Sequence, residues 1–240
     1  MPHFFIKSAC VQGEEVEFSE DYKHLVKSLR LRRGEKLLLM DENGIQYETR
    51  VKEIKPCSIV TKIEKSYPSK RELPFELHLA QTPLRSDAQN LIVEKATELG
   101  IKALHPIYTD NCALSKDVVT KKIEKWGKIM LESSKQCERA KIPTCEPPTT
   151  LEKVLDGYDR IIAFCERLTD APLKNYLREY PIKSGEKILV IIGPEGGFSE
   201  REFEFFTQKG ITKASLGDLI LRAETAVIVG LGNIIYECNN

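Results

Sequence analysis

ILVII, residues 188–192, is an unbroken aliphatic run. A strand wetted on one side alternates polar and apolar residues, so this run reads as a central strand covered on both faces. Covered strands of this kind belong to parallel sheets, whose crossover connections are usually helices. The run ends in GPEGG, residues 193–197, and FSEREF follows at once, residues 198–203. Ser199 with Glu202 makes a capping box, and Phe198 with Phe203 a hydrophobic staple, so helix initiation accounts for these four side chains. Gly193, Gly196 and Gly197 let main-chain amides and carbonyls approach a ligand without a Cβ in the way. They stand at the strand end where open α/β sheets bind ligands, although a plain tight turn explains them equally well. The spacing is neither GxGxxG nor GxxxxGK[ST], so dinucleotide and P-loop readings lack their fingerprint.

The surrounding chain agrees with layers. FELHLAQ (75–81) and RIIAFCE (160–166) are further short strands, and between them lie helical stripes. One is Ala88, Leu91, Ile92, Ala96 and Leu99, stopped by Gly100; another is Val119, Ile123, Trp126, Ile129 and Met130. Residues 71–240 are therefore expected to form an α/β domain. Residues 1–70 read differently, as short strands. EKLLLMDENGIQYETRVKEI (35–54) turns about Asn43-Gly44, a type I′ hairpin signal, and CSIVTKIEK (57–65) adds a strand. A small β-barrel or curled sheet buries such strands. YPSKRELP (67–74) has the prolines and charges of a linker.

Composition narrows the class. In 240 residues, 36 basic side chains balance 36 acidic ones, so a nucleic-acid partner must be met by a local patch. One exists: Lys23, Lys27, Arg30, Arg32 and Arg33 fall within eleven residues without an acid, with an ordinary solvated helix face as the plain alternative. Seven cysteines are scattered without a CxxC pair, which suits reduced thiols in a cytoplasmic protein better than disulfides or zinc. No pair of histidines has metal spacing, and His78 and His105 lie in apolar segments as core or near-core residues. The amino-terminal stretch lacks the apolar core of a signal peptide, and no apolar run approaches the roughly 18 residues of a membrane helix.

A second glycine turn sharpens the first. LGDLILRAETAVIVGLG (216–232) places Leu216-Gly217 at a strand end and then Arg222 and Glu224 before an apolar helix. Two glycine turns flanking a charged pair make a site the better reading of both. With HLVKSLRLRRGE (24–35), IVEKATELGI (92–101), KQCERAKIP (135–143), IGPEGGFSEREF (192–203) and LGDLILRAETA (216–226), almost the whole chain resembles the bacterial small-subunit ribosomal RNA methyltransferases that methylate N3 of a uridine, within the SPOUT class of knotted methyltransferases.

The resemblance implies an amino-terminal PUA-like RNA-binding barrel and a carboxy-terminal α/β domain tied in a deep trefoil knot over about 160–235. It implies S-adenosylmethionine as methyl donor, no metal, and a homodimer acting on 16S ribosomal RNA in a small subunit or late assembly intermediate. On that analogy Phe164, Gly193, Pro194, Glu195, Gly197, Leu216, Gly217, Leu221, Arg222 and Thr225 hold the cofactor. Arg222 stabilises charge on the uracil, with an ion pair to Glu224 or to the dimer partner as its structural alternative; Glu224 accepts a proton or orients Arg222. Lys23, Lys27, Arg30, Arg32, Arg33 and Arg85 contact RNA, and Arg139 reaches RNA or the neighbouring subunit. Ala88 and Asn90 stand where the family commonly has a basic and an acidic residue, and Asn111 where it has an arginine, so the departures fall outside the cofactor loops. Rival readings are a knotted methyltransferase acting on another RNA and a non-catalytic RNA- or ribosome-binding protein.

Overall fold

The computed structural model describes residues 3–238, leaving aside the side chain of Ser86. The chain forms two compact units. One runs to Glu72 and takes in Ser134–Lys141; the other comprises Leu73–Ser133 and the chain from Ile142 onward.

The first unit is built on β1 (His3–Ile6), β2 (Val11–Gln12), β3 (Glu15–Phe18), β4 (Lys36–Asp41), β5 (Ile45–Ile54) and β6 (Ile59–Pro68). They pair in the order β1-β4-β5-β6-β3-β2, antiparallel except for β1 beside β4. Phe4, Val16, Phe18, Leu37, Leu39 and Ile59 join in a core of their own. The β4–β5 turn is not type I′. Gly44 alone has a positive φ, +79°, its amide bonds the Asp41 carbonyl, and the Asp41 carboxylate accepts from the amides of Asn43 and Ile45. A three-residue loop with glycine in the left-handed position results; the aspartate before Asn-Gly decides the turn. β6 also runs on to Pro68, which pairs with Ile45, so two residues of the expected linker belong to the sheet.

Ser134–Lys141 joins this unit through charge. Lys135 pairs with Asp21 at 2.9 Å, Arg139 with Glu72 at 2.7 Å, and the Lys141 amide donates to Glu72 at 2.9 Å.

The second unit contains β7 (Glu76–Gln81), β8 (Ala103–Tyr108), β9 (Thr144–Cys145), β10 (Thr149–Thr150), β11 (Arg160–Phe164), β12 (Ala171–Pro172), β13 (Lys187–Ile192) and β14 (Thr212–Ser215). Its sheet runs β10-β8-β7-β13-β11-β14-β12, with β9 also on β8, and every pairing is parallel. Among the described residues six helices accompany it: α1 (Ser86–Glu98), α2 (Lys116–Thr120), α3 (Ile123–Gln136, whose residues from Ser134 on belong to the first unit), α4 (Leu173–Glu179), α5 (Glu200–Gln208) and α6 (Ala223–Cys238). The aliphatic run divides as a two-sided strand must. Ile188, Val190 and Ile192 enter a core with residues of α1, α4 and α6, whereas Leu189 and Ile191 enter another with Phe206 of α5.

Two helical stripes need adjustment. In α1, Leu91 is 38% exposed and Val93 is buried in its stead, and Gly100 ends the element at φ +84°. The stripe from Val119 to Met130 is shared by two helices, with Val119, Trp126 and Met130 fully buried. His78 and His105 are indeed near-core, and they meet: Nδ1 of one lies 3.2 Å from Nε2 of the other, with the Tyr158 hydroxyl 3.1 Å from His105.

Candidate functional site

β13, β11 and β14 are neighbours, and all three end at the same edge, at Ile192, Phe164 and Ser215. Parallel strands that stop together leave a crevice beyond their carboxyl ends. Here it is a cavity of about 470 Å³, joined by shared walls at Phe164, Glu166, Leu221 and Ala226 to a smaller recess of about 40 Å³. The combined size is that of a small-molecule site.

The loop after β13 forms one wall. The Gly197 amide bonds the Pro194 carbonyl at 3.0 Å and closes a tight turn. Gly197 has φ +68°, which holds position 197 to glycine through the backbone; a Cβ there would stand 3.0 Å from Oε1 of the exposed Glu166 side chain. The expected capping box is complete: the Glu202 amide donates to Ser199 Oγ at 3.2 Å and the Ser199 amide to Glu202 Oε2 at 2.8 Å. Phe198 and Phe203 meet edge-on at 6.2 Å, as a staple does, and Phe198 also lines the cavity.

The loop after β14 forms the opposite wall. Leu216 and Gly217 line the smaller recess, Arg222 and Glu224 the larger cavity, and Leu221 both. Gly217 has φ +129°, open to glycine alone, with nothing within 4 Å of where a Cβ would stand. Arg222 is exposed and makes no ion pair among the described residues, so the structural alternative of a pair with Glu224 does not hold. α6 begins directly behind, and its Gly230 lies so close under the Phe164 ring that a Cβ would collide with it.

Of the residues expected to hold cofactor, Phe164, Gly193, Pro194, Glu195, Gly197, Leu221 and Arg222 line the cavity, and Leu216 and Gly217 the recess. Thr225 lines neither. It is exposed in the first turn of α6, where Ala226 takes the inward direction. Ala88, Ile192, Ile220 and Ala223 also line the cavity. No sequence signal marks them, because small and aliphatic residues are read as packing.

The walls fit S-adenosylmethionine in chemical kind. Phe164, Ile192 and Leu221 present apolar surface, and Glu166, Glu195 and Glu224 place three carboxylates about one guanidinium, a balance that favours a ligand with a positive centre. Cys165, beside the recess, is buried and its thiol is pushed up to about 12, so it stays protonated and unreactive.

The expected RNA contacts divide. Lys23, Lys27, Arg30, Arg32 and Arg33 are all exposed, and none is ion-paired among the described residues. They do not share a regular helix face. Residues His24–Ser28 form one wide π-turn, Arg30 has φ +52°, and the buried Leu25 and Leu31 pin the segment so that its cations point outward. Arg85 is exposed just before α1. Arg139 is corrected: it is 5% exposed and paired with Glu72, so its guanidinium is spent inside the first unit.

Comparison with known proteins supplies the lineage. Residues 71–235 match the RNA methyltransferase domain model, and residues 19–64 the RNA methyltransferase PUA domain model. Ribosomal RNA small subunit methyltransferase E of Aquifex aeolicus is 30% identical over 213 residues, covering 85% of this chain and 87% of that one. The protein of the same name from Buchnera aphidicola of Schizaphis graminum is 28% identical over 235 residues, 96% of this chain and 94% of its own. Among solved structures, a putative methyltransferase of Legionella pneumophila in complex with S-adenosylmethionine superposes with a TM-score of 0.83 at 26% identity, covering 97% of this chain and 96% of the other. With a site at the carboxyl ends of three parallel strands and a domain match over most of its length, this chain belongs to the RNA methyltransferase family that includes the small-subunit ribosomal RNA methyltransferases E.

Proposed function

We propose that the protein methylates N3 of a uridine in 16S ribosomal RNA. The observation that carries this reading is the cavity itself, walled by two glycine loops, with an unpaired Arg222 and Glu224 together on its rim. S-adenosylmethionine, when bound, supplies an already activated methyl group on a sulfonium. The chain's own task is to hold the uracil in line and to favour the anion that appears on O2 and O4 as N3 loses its proton. Arg222 suits that delocalised charge, because its fork of donors is fixed and its charge permanent. Glu224 is the nearby carboxylate that accepts the N3 proton or orients Arg222. Glycines 193, 197 and 217 bring main-chain groups to the ligand, and Phe164 and Leu221 exclude water.

The domains follow the same assignment. Residues 1–70 serve as a PUA-like barrel whose exposed cations, Lys23, Lys27, Arg30, Arg32 and Arg33, meet RNA phosphates. Residues 71–240 form the SPOUT methyltransferase domain, knotted over about 160–235, with Arg85 as a further RNA contact. Leu219 and Ile220, 81% and 65% exposed beside the site, support a homodimer that covers them. The setting is the cytoplasm, on a small ribosomal subunit or a late assembly intermediate.

The test is transfer of labelled methyl from S-adenosylmethionine to isolated small subunits lacking the modification, followed by nucleoside analysis. Label in 3-methyluridine is the expected result. Cofactor binding with no transfer to the subunit sinks the chosen substrate and favours another RNA. Neither binding nor transfer leaves an RNA-binding protein without catalysis.

A further inference from the structure

Behind the glycine loop, outside the cavity, lies the turn that follows β8. Thr109 is buried and bonds Thr82 at 3.1 Å, fixing the base of the turn to the end of β7. Asp110 then faces the start of α5. Its carboxylate accepts from Ser199 Oγ at 2.5 Å and from the Arg201 guanidinium at 2.5 and 3.1 Å, and its amide donates to Glu202 at 2.9 Å. The Arg201 guanidinium and then the Ser199 hydroxyl hold Asp110 below the usual carboxylate range, which keeps it an acceptor. Asn111 completes the arrangement. Its side-chain amide nitrogen, which carries two hydrogens, lies 3.2 Å from the Gly196 carbonyl and 3.1 Å from the Gly197 carbonyl and donates to both.

We infer that Asn111 is a positioning residue for the cofactor loop, clamping the two carbonyls of Gly196 and Gly197 and so presetting the turn before ligand arrives. The inference rests on the reading of this loop as the wall that holds S-adenosylmethionine. Its physical basis is entropy. Consecutive glycines have the most backbone freedom to lose, and a loop that spends part of its time elsewhere binds more weakly in proportion. A donor fixed by its own turn removes that freedom in advance. Fit on the other side is equally close: a Cβ on Gly196 would stand 3.2 Å from the Asn111 Cβ, so glycine at 196 is matched to the clamp. Asn111 does not line the cavity and touches no reacting atom; it acts through the loop alone.

Aspartate is the discriminating substitution, since it keeps the shape of asparagine and removes both donors. Titration calorimetry with S-adenosylmethionine should show Asn111→Asp and Asn111→Ala each binding about tenfold more weakly than the unaltered protein, with aspartate at least as impaired because its charge faces two carbonyls. In methyl transfer the KM for S-adenosylmethionine should rise in step while kcat at saturation and the KM for RNA are retained. Circular dichroism of both variants without ligand checks that they fold. Binding by Asn111→Asp equal to that of the unaltered protein overturns the inference, as does a loss confined to Asn111→Ala, which would trace the effect to packing. No binding by the unaltered protein would instead fell the cofactor reading itself, and the clamp with it.

Discussion

The loop after β13 and the loop after β14 stand on the same sheet edge and face one cavity, and they are held in opposite ways. The first is fastened from within the chain: a closed turn at Pro194–Gly197, a capping box, a staple, and the Asp110–Asn111 turn behind it. In the second, no side chain from Leu216 to Arg222 makes a hydrogen bond or ion pair among the described residues, and Leu219 and Ile220 stand in solvent. A wall fixed in advance and a wall awaiting contacts from outside the chain divide the work of a site. On the proposed assignment the fixed loop lowers the cost of binding, and the open one is completed by cofactor, substrate or a second copy.

The strongest way to break this division is at Arg222. Arg222→Ala should lower methyl transfer by roughly 10²–10³-fold while S-adenosylmethionine affinity changes little, as expected for a group that acts on developing charge; equal loss in both would make the open loop a binding wall only. Next, on the proposed homodimer, Leu219→Asp combined with Ile220→Asp should weaken self-association by about 100-fold, since an apolar interface cannot bury the new charges unpaired. Light scattering across a dilution series reads the change, and an unaltered mass would mean that these residues cover something else. On the fixed loop, Glu202→Ala removes the capping box and the acceptor for the Asp110 amide, and should cost about 2 kcal/mol in urea unfolding. A negligible cost would mean the loop is not braced by that carboxylate.

The smallest expected effect concerns the sheet that carries both loops. His78 sits opposite Leu189 of β13, and burial pushes its neighbour His105 down to about 4. A histidine whose folded pKa lies below its unfolded value of about 6.5 is neutral in both states at higher pH. As pH falls from 6.5 towards 4, only the unfolded chain takes up the proton, so stability falls over that window, by about 1 kcal/mol in all once partial exposure is allowed for. Urea midpoints between pH 7 and 4.5 check this, and His105→Gln should make the profile shallower, with His3, which burial also pushes down to about 4, and His78, which burial pushes down as well, keeping the rest of the slope. An unchanged profile would move the acid sensitivity to another group.

Local chemistry was legible in the sequence wherever neighbours along the chain decide it. Ser199 and Glu202 announced the α5 cap, Gly100 the end of α1, and ILVII its two-sided burial. The glycine pairs marked the site because strand ends carry it. What escaped depends on residues brought together from afar. Ala88 enters the cavity from α1 although it is spelled as a packing residue, Arg139 looks free until Glu72 is seen beside it, and Asn111 gives no sign of reaching Gly196. At Asn43-Gly44 the dipeptide signal was real, but Asp41 overruled its commonest geometry through two side-chain bonds.

The return of Ser134–Lys141 to the first unit has a consequence for synthesis. Glu72 emerges from the ribosome early, yet its partner Arg139 cannot meet it until the chain between them has been made, several seconds later at roughly 5–20 residues per second. For that interval the amino-terminal sheet exists without its last segment, and Asp21 and Glu72 lack their cations. The part of the protein translated first is thus among the later parts to be completed.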